Sequence, residues 1–338
     1  MLRNAKFTHL RQCRKPSSKG VAAAVAMLAG LATTTVSADT LAQPKDTSLE
    51  RAASNYVRFR EDVAALEAMP FDNPNVTREA HRRLGAHDPA GISGGWVAYA
   101  ALVAADTPEF AEALKEQMKI KGSRRKGTLG GKDGLISNLS QDPSFARSLP
   151  GADKAIASIL AMTAQDGARI TSLGESFKTQ AYAMQKTAWG KKRISSSQDR
   201  IVEAANFSKG RGAANMPALE RQANGGVIAP ALATAKGEWA PDWGAAAPAG
   251  RMQEANAEVI MDRILNLAAR YSTNTLNPKI VTVYAKNNKT QNCLELSKLT
   301  LNQCIAATRT PYEEAFCLGE HGLNDIASCN GWVGGAGS

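Results

Sequence analysis

Four of the five cysteines, Cys293, Cys304, Cys317 and Cys329, fall in the last 46 residues of this 338-residue chain. An even number packed into so short a segment reads as two disulfides, which belong to an oxidising compartment. Cys293 and Cys304 lie in a stretch with helical character, Thr290 to Thr308. Eleven residues of helix hold them about 16 Å apart. Bridged Cα atoms need to approach within about 7 Å, so these two cannot pair with each other. A second helix is signalled by Thr310-Pro311-Tyr312-Glu313, where Thr310 caps, Pro311 suits the first helical position and Glu313 completes a capping box. The two helices then form an antiparallel hairpin turning near Ala307 to Thr310. That arrangement pairs Cys304 with Cys317 inside and Cys293 with Cys329 outside. Gly319 and Gly322 are expected to interrupt the second helix, with Asn324 or Asp325 starting a short new one. A zinc site is the alternative, because Cys317 and His321 share a helix face. No tight Cys-x-x-Cys pair supports it, so no metal is assigned.

The rest of the chain repeats apolar residues at helical spacing. From Thr47, read as a capping-box start with Glu50, positions Leu49, Ala52, Tyr56, Phe59, Val63 and Leu66 form a packing seam that Met69-Pro70 ends. Thr77 to Leu84 reads as a short basic helix on which His81 is solvated. Trp96 to Ala105 reads as a buried apolar helix, and Thr107-Pro108-Glu109 opens another that reaches about Met118. A long pattern runs from Asp153 to about Ala188, and a further helix from Glu254 to Tyr271. The β-branched run Lys279 to Ala285 is the one expected strand, at an edge or in a connector. Low aromatic content, 6%, and many alanines agree with helix over sheet.

Residues 1 to 38 read as a cleaved leader. Arg3, Lys6, Arg11, Arg14, Lys15 and Lys19 precede the apolar run Val21 to Leu31, and Val36-Ser37-Ala38 supplies the small-x-small site that a signal peptidase accepts. An apolar run of that length falls short of the roughly 20 residues needed to cross a bilayer. The reading is therefore export to the periplasm or outside the cell, with no transmembrane span after cleavage. An organellar transit peptide is the rival, but such leaders are amphipathic and lack a discrete apolar block.

Removing the leader also changes the charge. The whole chain has 41 Lys and Arg against 31 Asp and Glu, and six of those cations lie in the leader with no acid beside them. The remaining excess of four is ordinary for solubility and argues for no nucleic-acid partner. Seven glycines and four prolines between Asn206 and Gly250 mark a linker or a long loop. The organisation expected is a helical bundle over 39–205, this Gly/Pro/Ala-rich segment at 206–250, and a C-terminal helical region over 251–338.

Four features could carry chemistry. Gly127 to Asp133 approximates a phosphate-binding glycine loop, yet it is one residue short, carries Asp133 where Ser or Thr belongs, and follows no strand. Its cations Lys121, Arg124, Arg125, Lys126 and Lys132 instead suit an anionic polymer or lipid surface, or simple solvation. Gly174-Glu175-Ser176-Phe177 resembles the Glu-Ser-aromatic segment of the lysozyme-like lytic transglycosylases over fewer than ten residues. That resemblance implies Glu175 as general acid on a glycosidic oxygen. Phe177 also belongs to an apolar helix stripe, which gives Glu175 the plainer reading of an exposed residue on a packed helix. Trp239 and Trp243, in a Pro/Gly-rich loop, could stack on a sugar or peptide or pin the loop to a core. His81, His87 and His321 have no second histidine at metal or triad spacing, and no Ser stands in a Gly-x-Ser-x-Gly elbow.

The sequence thus points to a mainly α protein, an irregular multi-helix bundle with a C-terminal disulfide-linked helical hairpin. The function expected is a non-catalytic binding or structural factor of the cell envelope with no cofactor. Its partner would be an envelope protein, a glycan or an anionic lipid surface. The alternatives are a glycan-cleaving enzyme using Glu175 and an anion binder using loop 119–132.

Overall fold

In the computed structural model the described residues are 47–120, 130–194, 196–211 and 255–334. Helix α3, Pro89–Ala105, is apolar on all sides and nearly every side chain from Gly95 to Ala104 is buried. A helix of that kind must be surrounded by others. It is covered by α1 (Ser48–Glu67), α6 (Ala152–Met184), α8 (Ala255–Ser272) and α10 (Asn288–Ala307). The start of α3 is fixed by Asp88, whose carboxylate accepts from the Gly91 amide at 2.7 Å, with Pro89 in the first turn. At Gly95 a side chain would meet the Tyr56 amide nitrogen at 2.7 Å, so glycine sets the close crossing of α1 and α3.

Around this centre lie α2 (Asn75–Leu84), α4 (Pro108–Lys119), α5 (Gly131–Gln141), α7 (Ser197–Gly210) and α9 (Pro278–Tyr284). One hydrophobic core runs from Leu49 through Phe177 to Val333, so helices on both sides of residues 212–254 share it. No strand occurs among the described residues. None of their helices is long and apolar enough to cross a membrane.

The C-terminal hairpin forms with nested pairing. Cys304–Cys317 and Cys293–Cys329 are bridged, with Cα separations of 5.7 and 5.5 Å. Its return arm is α11 (Pro311–Cys317), a π-helical segment Leu318–Asn324 and α12 (Asp325–Gly331). Gly319 and Gly322 therefore do not stop the helix. They fall in a π-helical segment, and Gly319 packs against Gly174 of α6, where a side chain on Gly174 would meet the Gly319 carbonyl oxygen at 2.8 Å. Gly174→Ala is expected to force the arm off α6 and to cost about 1–3 kcal/mol, measurable by urea unfolding.

Three expectations are corrected. Lys279 to Ala285 is not a strand: Asn277 caps the Ile280 amide at 3.0 Å, Pro278 sits in the first turn, and α9 buries Val281. The Thr47 side chain makes no cap hydrogen bond, and Glu50 instead accepts from the Tyr271 hydroxyl at 2.7 Å, tying α1 to α8. His81 is not solvated but fully buried, as described below.

Candidate functional site

The interior holds several ionic groups that sequence periodicity did not bring together. Arg60 of α1 and Asp166 of α6 pair at 3.1 Å, both almost fully buried. The Tyr56 hydroxyl donates to the other Asp166 oxygen at 2.9 Å, and Arg60 donates to the Tyr99 hydroxyl at 2.8 Å. Burial raises the Tyr56 phenol well above its usual range, helped by the Asp166 charge. One helical stretch farther along, Arg169 forks onto Glu67. Asp62, only 1% exposed at its side chain, accepts from Arg83 at 3.0 Å, from Arg211 and from His87. These hydrogen bonds hold the Asp62 carboxyl below its ordinary value against the desolvation that would raise it. These paired groups cross-brace α1, α2, α3, α6 and the end of α7.

His81 differs from these because neither ring nitrogen has a hydrogen-bond partner among the described residues. Burial lowers its pKa to about 4, aided by nearby Arg200 and opposed by Glu203. The neutral imidazole is thus strongly preferred in the folded chain. Below pH 6.5 the unfolded chain takes up a proton that the folded one refuses, so stability falls as pH drops from 6.5 toward 4. The full loss is about 3 kcal/mol. His87, whose pKa is also lowered by burial, acts in the same direction. Urea midpoints at pH 7 and pH 5 should show the wild type losing about 2 kcal/mol more than His81→Leu. Equal losses would contradict the buried neutral assignment.

The residues singled out from sequence are scattered. Glu175 lies on the outer face of α6 with its side chain 56% exposed; it accepts from Asn324 at 2.7 Å and pairs with Lys178 at 3.1 Å. Lys178 pairs in turn with Glu320 at 2.8 Å. These side chains lie beside the Gly174–Gly319 crossing, where Asn324 and Gly319 both approach Gly174. Lys132 is exposed in the first turn of α5, and the other cations of its loop, Lys121, Arg124, Arg125 and Lys126, lie outside the described residues, as do Trp239 and Trp243. His321 bonds Asp325 at 2.9 Å, and Cys317 is committed to its disulfide.

A different surface gathers the features a binding site needs. Beside the Cys304–Cys317 disulfide, the end of α6 and the α10–α11 turn enclose a groove of about 390 Å³ lined by Ala181, Tyr182, Gln185, Ala307, Tyr312 and Phe316. Tyr182 is 59% and Phe316 37% exposed, and their rings meet edge to face at 6.4 Å. Large apolar groups displayed together on a surface are characteristic of contact sites. The groove has a firm base. Trp189, Phe71 and Tyr312 pack on a small buried cluster of Ala181, Met184 and Ala315, and the Phe71 ring meets Phe177 at 4.7 Å. The signal available in the sequence was Tyr182 and Phe316 lying off the apolar stripes of their helices, which becomes informative only once the two helices are placed side by side. No protein-family model, curated protein or solved structure matches this chain.

Proposed function

We propose that the chain works as an exported binding factor of the cell envelope and meets its partner with the end of the body clamped by Cys304–Cys317. The observation that carries this reading is the coincidence of the exposed Tyr182–Phe316 pair, its groove and the disulfide in one place. The leader and the two disulfides support a site of action outside the cytoplasm. A rigid, cross-linked base suits binding because little order is lost when a partner docks on it.

The competing enzyme reading requires Glu175 in a cleft with apolar neighbours, the setting that keeps a carboxylic acid protonated for proton donation. Its exposed side chain, held between Lys178 and Asn324, lends that reading no support. Purified cell-wall glycan incubated with the chain is expected to release no soluble fragments, and Glu175→Gln is expected to behave identically. Fragment release that disappears in Glu175→Gln would overturn the binding-factor reading in favour of glycan cleavage.

A further inference from the structure

The groove is bordered by a turn of unusual charge. Residues 186–193 carry Lys186, Lys191, Lys192 and Arg193, all exposed, within eight positions. None of the four makes an ion pair among the described residues. The turn is fastened to the rim of the groove through its backbone. Tyr312 donates to the Gly190 carbonyl at 3.3 Å, and Ile194 donates to the Arg309 carbonyl at 3.0 Å. Arg309 is exposed there as a fifth cation, its guanidinium donating to the Thr308 carbonyl at 3.5 Å.

The carboxylates of this face are already engaged. Glu313 accepts from the Arg309 and Thr310 amides, at 2.5 and 3.0 Å, and Glu320 and Glu175 are held by Lys178. These carboxylates keep their charge, but the five cations together with Lys178 outnumber Glu313, Glu175 and Glu320 by six to three, which leaves the face net positive next to two exposed aromatic rings and a third, Tyr312, at the wall. Cations on a turn fastened beside a pair of exposed aromatic side chains match the two zones of a membrane–water interface: phosphate headgroups outside, the headgroup–acyl boundary beneath.

We propose that this face docks on an anionic phospholipid membrane, with Tyr182 and Phe316 entering the interface and Lys186, Lys191, Lys192, Arg193 and Arg309 contacting headgroup phosphates. The proposal rests on the binding-factor reading and gives its partner a chemistry. An acidic peptide is the other occupant the charge would admit. Helix-in-groove recognition spreads its anchors over two turns or more. Here the large exposed apolar side chains of the groove are one adjoining pair, Tyr182 and Phe316 at 6.4 Å, too short a row to receive anchors two turns apart. That geometry favours side chains inserting outward over a helix lying inward.

The test is sedimentation of the chain, recovered after export, with vesicles of mixed phosphatidylglycerol and phosphatidylcholine at about 0.05 M salt, where charges reach farther than in physiological buffer. Binding is expected to phosphatidylglycerol-containing vesicles and not to pure phosphatidylcholine, and to weaken steeply as salt rises. The triple variant Lys191→Ala, Lys192→Ala, Arg193→Ala should bind on the order of a hundredfold more weakly. Tyr182→Ala with Phe316→Ala should leave a binding that salt abolishes completely. All five positions are exposed, so each variant should keep the wild-type unfolding midpoint, and Lys115→Ala, an exposed cation of α4 at the other end of α6, serves as the control. Unchanged vesicle binding in the triple variant, or none by the wild type, overturns the proposal. Capture of a polyglutamate peptide without vesicle binding overturns the lipid assignment while leaving the binding-factor reading standing. Glycan release through Glu175 would instead remove that reading itself.

Discussion

Replacing Asp166 by alanine is expected to destabilise the protein by about 3–5 kcal/mol, the largest effect of any single substitution proposed for this chain. The reason is what the change leaves behind. Arg60 would remain in the core with its charge uncompensated, and the Tyr56 hydroxyl would lose its acceptor. An unpaired buried cation is far more costly than the net worth of the pair it came from. Arg60→Leu combined with Asp166→Leu should therefore recover most of the loss, because a well-packed apolar pair of similar volume needs no partner. Urea unfolding of both single variants and the double variant measures this directly. Additive losses in the double variant would mean that Arg60 and Asp166 act separately, against the geometry described.

Opening the two disulfides comes next in size. Cys304→Ser with Cys317→Ser removes a bridge spanning 13 residues and should cost about 3 kcal/mol; Cys293→Ser with Cys329→Ser removes one spanning 36 and should cost about 4 kcal/mol. The consequences should differ in place as well as in amount. Cys304–Cys317 joins α10 to α11 beneath the groove, so its loss should free the Tyr312–Phe316 wall and make that segment an early protease site. Cys293–Cys329 ties α12 to the start of α10, where Trp332 donates to Thr290 at 2.8 Å, and its loss should fray the C-terminal end first. The same cleavage pattern in both variants would show that the two bridges brace one undivided unit.

The nested pairing was legible because helix rise alone separates Cys293 from Cys304, and the Thr310-Pro311 signal reverses the chain between the inner pair. The central helix was legible as well, since the run from Trp96 to Ala105 leaves no polar face to put in water. The run from Lys279 to Ala285 suggests a strand and forms a helix because a short β-branched segment has the same composition in a strand and in a buried helical turn. What decides it is the cap: Asn277 holding the Ile280 amide commits the next residues to helix.

His81 was misread for a different reason. Its neighbours Arg82 and Arg83 share the partly exposed Glu79, at 2.6 and 2.7 Å, while His81 itself is buried close to Arg200 and Glu203 of α7. Helix α7 buries little more than Ala204 and carries no broad apolar stripe, so the sequence gives no sign of a surface there to bury a histidine. Arg60 and Asp166 were likewise invisible, because 106 positions separate two residues that each look like an ordinary polar site on a helix. The candidate docking face shares this character. Its aromatics come from α6 and α11 and its cations from the turn after α6, and only the packing of the C-terminal hairpin on α6 makes them neighbours.

The central claim is an exported binding factor locked by two disulfides, and intact mass of the exported protein, alkylated before and after reduction, tests it most directly. The account predicts a chain that begins at Asp39, takes up no alkylating agent as isolated and takes up four equivalents after reduction. A chain that retains Met1 and is alkylated without reduction would contradict both the compartment and the clamp on which the docking face depends.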